Sequence, residues 1–160
     1  MNKLIIALLL SQSLYAMADG QSDCDAAAGT YLTGTVVSGP SFARGVKSLQ
    51  GVKLSHTHVT LQSDQDGQNY DVAMDNVYAN DYVLNASSMP DSLRAIQVGD
   101  QLELCGQTYT RGVGIHWVHS NCNVNPDANH PDGWVKEIAS DGTLSDNMEG
   151  SQAYCYLWGN

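Results

Sequence analysis

From Thr30 onward the chain is built of short alternating runs, each cut off by glycine, proline or aspartate, and that pattern points to a small β fold. Thr30 to Ser38 places Tyr31, Thr33, Thr35 and Val37 on one side and Leu32 and Val36 on the other, and Ser38-Gly39-Pro40 ends the run. Residues 41–52 read as a loop. Lys53 to Gln62 is a second strand, with Leu54, His56, His58 and Thr60 on one face and Ser55, Thr57, Val59 and Leu61 on the other. The Asp66-Gly67 turn leads into a third strand, Gln68 to Met74. Residues 75–88 lack a clear period and read as a loop, and Pro90 to Ile96 as one short helix. Gln101 to Tyr109, Ile115 to Ser120 and Trp134 to Ile138 complete the strands, with a long polar loop over 121–132. In the fifth strand the alternation puts Ile115, Trp117 and His119 on one face and His116 and Val118 on the other. Many short strands with one short helix predict a mainly β chain, a small OB-like β-barrel with long loops.

The N-terminus reads as an export signal: Lys3, an apolar run from Leu4 to Leu10 too short to span a bilayer, and a small-x-small site at Ala16-Met17-Ala18. Residues 1–18 are thus a signal peptide and 19–160 a single domain, in the periplasm or outside the cell. No later run is apolar enough to be a membrane span. Four cysteines in an exported chain predict two disulfides. Three pairings exist; Cys105 with Cys122, flanking a hairpin, and Cys24 with Cys155, tying the ends together, are the preferred set. The spacing lacks a C-x-x-C element, which argues against a thiolate metal site.

The chain carries a formal net charge of -10. Such a surface repels polyanions at long range, which argues against nonspecific nucleic-acid binding while leaving room for a local basic groove. Arg44, Lys47 and Lys53 form the only basic cluster, and it reads as a solvated loop.

The residues that carry chemistry are the five histidines. His56 and His58 emerge on one face of the second strand. His116, His119 and His130 cluster downstream with Trp117 and Trp134. Neutral imidazole binds transition metals and shuttles protons near neutral pH, so His56, His58, His116, His119 and His130 are candidate ligands for a metal such as zinc. His58, His116, His119 and Asp132 are the candidate catalytic groups, and Trp117, His130 and Trp134 the candidate binding residues. His116-x-x-His119 in a regular strand sends its rings to opposite faces, so a bulge or turn is needed to bring them together. Asp132-Gly133 is equally a turn former, and both tryptophans serve as well as core anchors.

The motifs Val98-Gly99-Asp100, Ile115-His116-Trp117-Val118-His119 and His130-Pro131-Asp132-Gly133-Trp134-Val135 carry a resemblance over residues 56–135. The segment resembles an exported bacterial family, domain of unknown function 3465. The resemblance implies a small β fold and export, and no established activity. The chain departs from that pattern at Met74, where the family has a histidine, and in residues 75–96, the cysteines and the C-terminal tail.

Three functions fit this reading. The favoured one is a binding module presenting a His/Trp-lined groove to a protein, glycan or small ligand. A metal-assisted hydrolase of the phosphodiesterase or nuclease type is the alternative. The third is an inhibitor or immunity protein of a secreted enzyme.

Overall fold

The computed structural model describes residues 19–158; the signal-peptide expectation falls on residues outside that span. Eight strands follow a helix, α1, over residues 19–26. They are β1 (Thr30–Ala43), β2 (Ser48–Leu49), β3 (Val52–Lys53), β4 (His56–Ser63), β5 (Asn69–Asp75), β6 (Gln101–Thr108), β7 (Gly114–His116) and β8 (Trp134–Ile138). A single helical turn, α2 (Asp91–Arg94), lies between β5 and β6.

Strands pair in the order β1-β4-β5-β7-β6, and β6 pairs again with β1, which closes a five-stranded barrel. All these pairings are antiparallel except β5 with β7. A bent first strand shared by two neighbours and a parallel third-to-fifth pairing make this an OB-like barrel. Strand β8 lies beside β6, from Gln101↔Ile138 to Cys105↔Trp134.

The first strand is longer than its alternation implies. It passes Ser38-Gly39-Pro40 and continues to Ala43, with register shifts between Val36 and Ser38 and between Ser38 and Ser41. A strand serving two neighbours around a small barrel must turn a corner, and a bulged segment with Gly39 at φ 102° supplies it.

Leu32, Val36, Val59, Leu61, Val72, Met74, Leu102, Leu104, Ile115 and Val135 fill the interior, and Leu93 and Ile96 from the α2 region join them. The alternation of β4 is as its sequence indicates: Thr57, Val59 and Leu61 are buried, and His56 and His58 lie half-buried on the outer face. A second cluster (Val52, Val77, Tyr78, Cys122, Leu157) packs the 3-10 turn Cys155–Trp158 against the segment after β5.

The cysteine pairing expected from the sequence is corrected. The bonds are Cys24–Cys105 and Cys122–Cys155, not Cys105–Cys122 and Cys24–Cys155. Residues 19–26 form a helix that lays Cys24 on the outer face of β6, where Cys105 lies in register with Tyr31 and Trp134. Cys122 lies beyond β7, beside the C-terminal turn. Among the described residues no helix is long and apolar enough to cross a membrane.

A peptide map without reduction checks this pairing: linked peptides containing Cys24 with Cys105 and Cys122 with Cys155 are expected. Removing each bond by paired serine substitution is expected to cost about 4.5 kcal/mol for the first and about 3.8 kcal/mol for the second, from the loop each closes. Linked peptides joining Cys105 to Cys122 would contradict the structure.

Candidate functional site

Register explains why the outer face of β4 and β5 is chemically rich. His56 lies opposite Asp75, His58 opposite Ala73 and Thr60 opposite Asp71. Side chains opposite or diagonal on one face of a pair are within reach. His56 Nε2 therefore meets Asp75 Oδ1 at 2.5 Å. His58 Nδ1 meets Asp71 Oδ1 at 2.9 Å. The Tyr109 hydroxyl donates to Asp71 Oδ2 at 2.7 Å. Met74 points into the core at 0% exposure, so the neighbouring Asp75 occupies the face of His56 and His58.

The downstream histidines reach the same place by a break in the fifth strand. Strand β7 stops at His116 because Trp117 adopts φ 56°, a left-handed conformation that strains a bulky residue. The turn reverses the alternation expected from sequence. Ile115 and Val118 both enter the core, Trp117 is half-buried outside it, and His119 folds back beneath the groove. Gly133 makes this possible. A Cβ there would lie 2.3 Å from the Trp117 carbonyl oxygen, and its N–H donates to the His119 carbonyl at 2.9 Å.

His119 is held on every side. Its side chain is 2% exposed and stacks on Tyr78 with centroids 3.7 Å apart and planes at 7°. Nδ1 lies 2.8 Å from the Ser120 carbonyl oxygen and Nε2 3.3 Å from Asp75 Oδ2. Both nitrogens face acceptors, so His119 positions Asp75 rather than offering a free base. Asp75 thus receives two imidazoles on its two oxygens. Burial disfavours its charge, but the hydrogen bonds and charges of His119 and His56 outweigh burial and hold its carboxyl well below the usual range.

The two remaining groups at this centre are pushed in opposite senses. The hydrogen bond to Asp75 raises His56 above the ordinary imidazole value, against burial. Burial lowers His116; the charge of Asp75 opposes that shift, and those of His119 and His56 add to it. No hydrogen bond contributes at His116, whose ring meets Tyr109 edge-on at 5.3 Å. Behind Asp75, Glu149 is fully buried and accepts the Asp75 backbone N–H at 3.1 Å. Burial, then the charge of Asp75, pushes Glu149 well above its usual value, and its Oε1 is buried without a partner. The two neighbouring carboxyls are thus shifted in opposite directions.

Two pockets meet at His56 and Asp75. One, of about 440 Å³, is lined by Arg44 and Lys47 together with Tyr78, Trp117, Trp158 and His119. The second, of about 180 Å³, holds His56, His58, Tyr109 and His116. A third, of about 280 Å³, continues past Trp117 to His130, whose ring lies 5.1 Å from the tryptophan ring. This is the β4–β5 face that OB barrels use for ligands, flanked by the β1–β4 connection.

The sequence candidates thus separate. His56, His116 and His119 surround Asp75, with His58 beside them on Asp71. His130 lies beyond Trp117, exposed and 3.3 Å from Asp127. Asp132 is not part of the centre. Its carboxylate accepts the Asn121 N–H at 3.0 Å, as a turn former does. Trp134 also lies elsewhere: its Nε1 donates to buried Glu103 at 3.2 Å, and Lys136 Nζ sits 4.9 Å from its ring. The five histidines do not form one metal cage. Among the described residues no group of three or more His, Cys, Asp or Glu is arranged to hold a metal ion. Sequence reading missed Asp75, Asp71, Tyr78, Trp158 and Glu149, and set aside Arg44 and Lys47 as loop charges.

Glu149 offers a check with a definite sign. Its folded-state pKa is raised, so the fold loses stability relative to the unfolded chain as pH climbs above 4.5. Glu149→Gln removes that loss. Thermal melts are expected to show variant and native protein close at pH 4 and the variant increasingly more stable toward pH 7. A gap that favours glutamate at pH 7 would contradict the assignment. No protein-family model matches the chain, and no curated protein matches it.

Proposed function

We propose that the chain is an exported, disulfide-stabilised binding module whose groove over β4 and β5 takes a short anionic oligomer. The observation that carries this is the lining of the 440 Å³ pocket, in which Arg44 and Lys47 join Tyr78, Trp117 and Trp158 with His56 and Asp75. On a chain with a net charge of -10, two cations beside three aromatic rings are a local exception. Cations hold an anionic group, aromatic faces stack on planar or ring-shaped units, and a groove of connected pockets suits several units in a row. The OB-like barrel supports the same reading by analogy of fold. Export agrees with the two disulfides and with the resemblance to an exported family.

The test is a fluorescence titration of the mature protein at low salt, using single-stranded oligonucleotides and uronic-acid oligosaccharides a few units long. Trp117 and Trp158 in the wall make tryptophan emission the readout. A saturable change with one probe class is expected. Arg44→Ala with Lys47→Ala is expected to weaken that binding more than tenfold, since hydrogen bonds to charged groups contribute about 1.5–3 kcal/mol each. No saturable response with either class, or equal binding by the double variant, would contradict the proposal.

A further inference from the structure

The 180 Å³ pocket holds an arrangement that binding alone does not use. His116 and His56 line it together, from β7 and β4. His116 is half-buried with no hydrogen bond acting on its ring. His56 has Nε2 on Asp75, which leaves Nδ1 as its second ring nitrogen. An imidazole with a vacant nitrogen and a carboxylate-backed imidazole in one pocket are the two halves of general acid–base catalysis. The pocket that holds Arg44 and Lys47 adjoins this one and shares His56 and Asp75 with it.

We infer that this groove cleaves single-stranded RNA, with His116 as the base and His56 as the acid. The inference rests on the anionic-oligomer reading and adds to it the substrate class and the reaction. The hydroxyl beside the phosphodiester gives its proton to His116, and its oxygen forms a bond to phosphorus. The bond from phosphorus to the departing oxygen breaks, and that oxygen takes a proton from His56. The products are a cyclic phosphate end and a free hydroxyl end, with the protons of the two histidines exchanged. The step needs no co-reactant. RNA is the substrate because only a strand with a hydroxyl next to each phosphodiester supplies the internal nucleophile. The opposite shifts of the two imidazoles support the roles, since the base must start neutral and the acid charged. His58 and Asp71, Asp75, Tyr109 and His119 are the titratable groups that face the pair.

The experiment incubates the mature protein with a labelled RNA oligomer in excess chelator and identifies the new ends by mass spectrometry. An all-deoxy strand of the same sequence is the binding control. Cyclic phosphate ends are expected from RNA, with the deoxy strand bound and uncut. His116→Gln and His56→Gln are each expected to lower turnover about a hundredfold or more, a loss far larger than any change in affinity for the deoxy strand. The rate is expected to follow a bell-shaped pH profile whose alkaline limb shifts to lower pH in Asp75→Asn. Intact RNA beside a bound deoxy strand would overturn the catalytic inference and leave the binding reading standing. Failure to bind either strand would remove the inference, with the uronic-acid arm of the binding titration deciding the broader reading. Cleavage that survives in both folded histidine variants would overturn the assignment of roles.

Discussion

The carboxylate of Asp75 is the constraint on which the site depends. One oxygen holds His56 from the neighbouring strand and the other holds His119 from beyond the fifth strand. A partly buried charge needs compensation, and here the compensation is two imidazoles drawn from sequence positions far apart. Their convergence brings the outer face of β4 and β5, the turn at Trp117 and the aromatic wall into one structure. Glu149, directly behind, accepts the Asp75 backbone N–H and so fixes the backbone there.

The barrel supplies the rest by pairing geometry. Pairing of β5 with β7 sets Asp71 opposite Gly114 and Val72 opposite Ile115, so His116 emerges next to the β5 carboxylates. The left-handed Trp117 then turns the chain inward, held by the close approach of Gly133. Tyr78 stacks on His119 and Trp158 on Tyr78, with centroids 5.3 Å apart in the second pair. The Cys122–Cys155 bond begins the 3-10 turn that carries Trp158, so this disulfide anchors one wall of the groove. Cys24–Cys105 fastens α1 to the opposite part of the barrel, around buried Glu103.

Much of this was legible in the sequence where period-two alternation is strict. The core positions Val59 and Leu61 and the outward pair His56 and His58 follow from it directly. Asp75 was missed by one residue. A strand ended at Met74 leaves it in a loop, while one more step puts it in phase with Asp71 and Ala73 on the histidine face. The reversal at Trp117 carried no signal, because bulky residues rarely adopt positive φ and the glycine that permits it lies sixteen positions later. Disulfide pairing, Glu149 and the stack of Trp158 on Tyr78 depend on tertiary packing between distant segments, which alternation does not encode. The Asp132-Gly133-Trp134 motif was visible, but its work is structural: it caps Asn121, admits the Trp117 turn and satisfies Glu103.

Proton occupancy of individual rings tests the role of Asp75 most directly. Nuclear magnetic resonance titration of the histidine rings, in the native protein and in Asp75→Asn, reads it ring by ring. His56 is expected to titrate above 6.5 and His116 below it in the native protein, and the His56 midpoint is expected to fall when the carboxylate is lost. Coincident midpoints near 6.5 in the native protein, or a His56 midpoint unmoved by Asp75→Asn, would contradict the account.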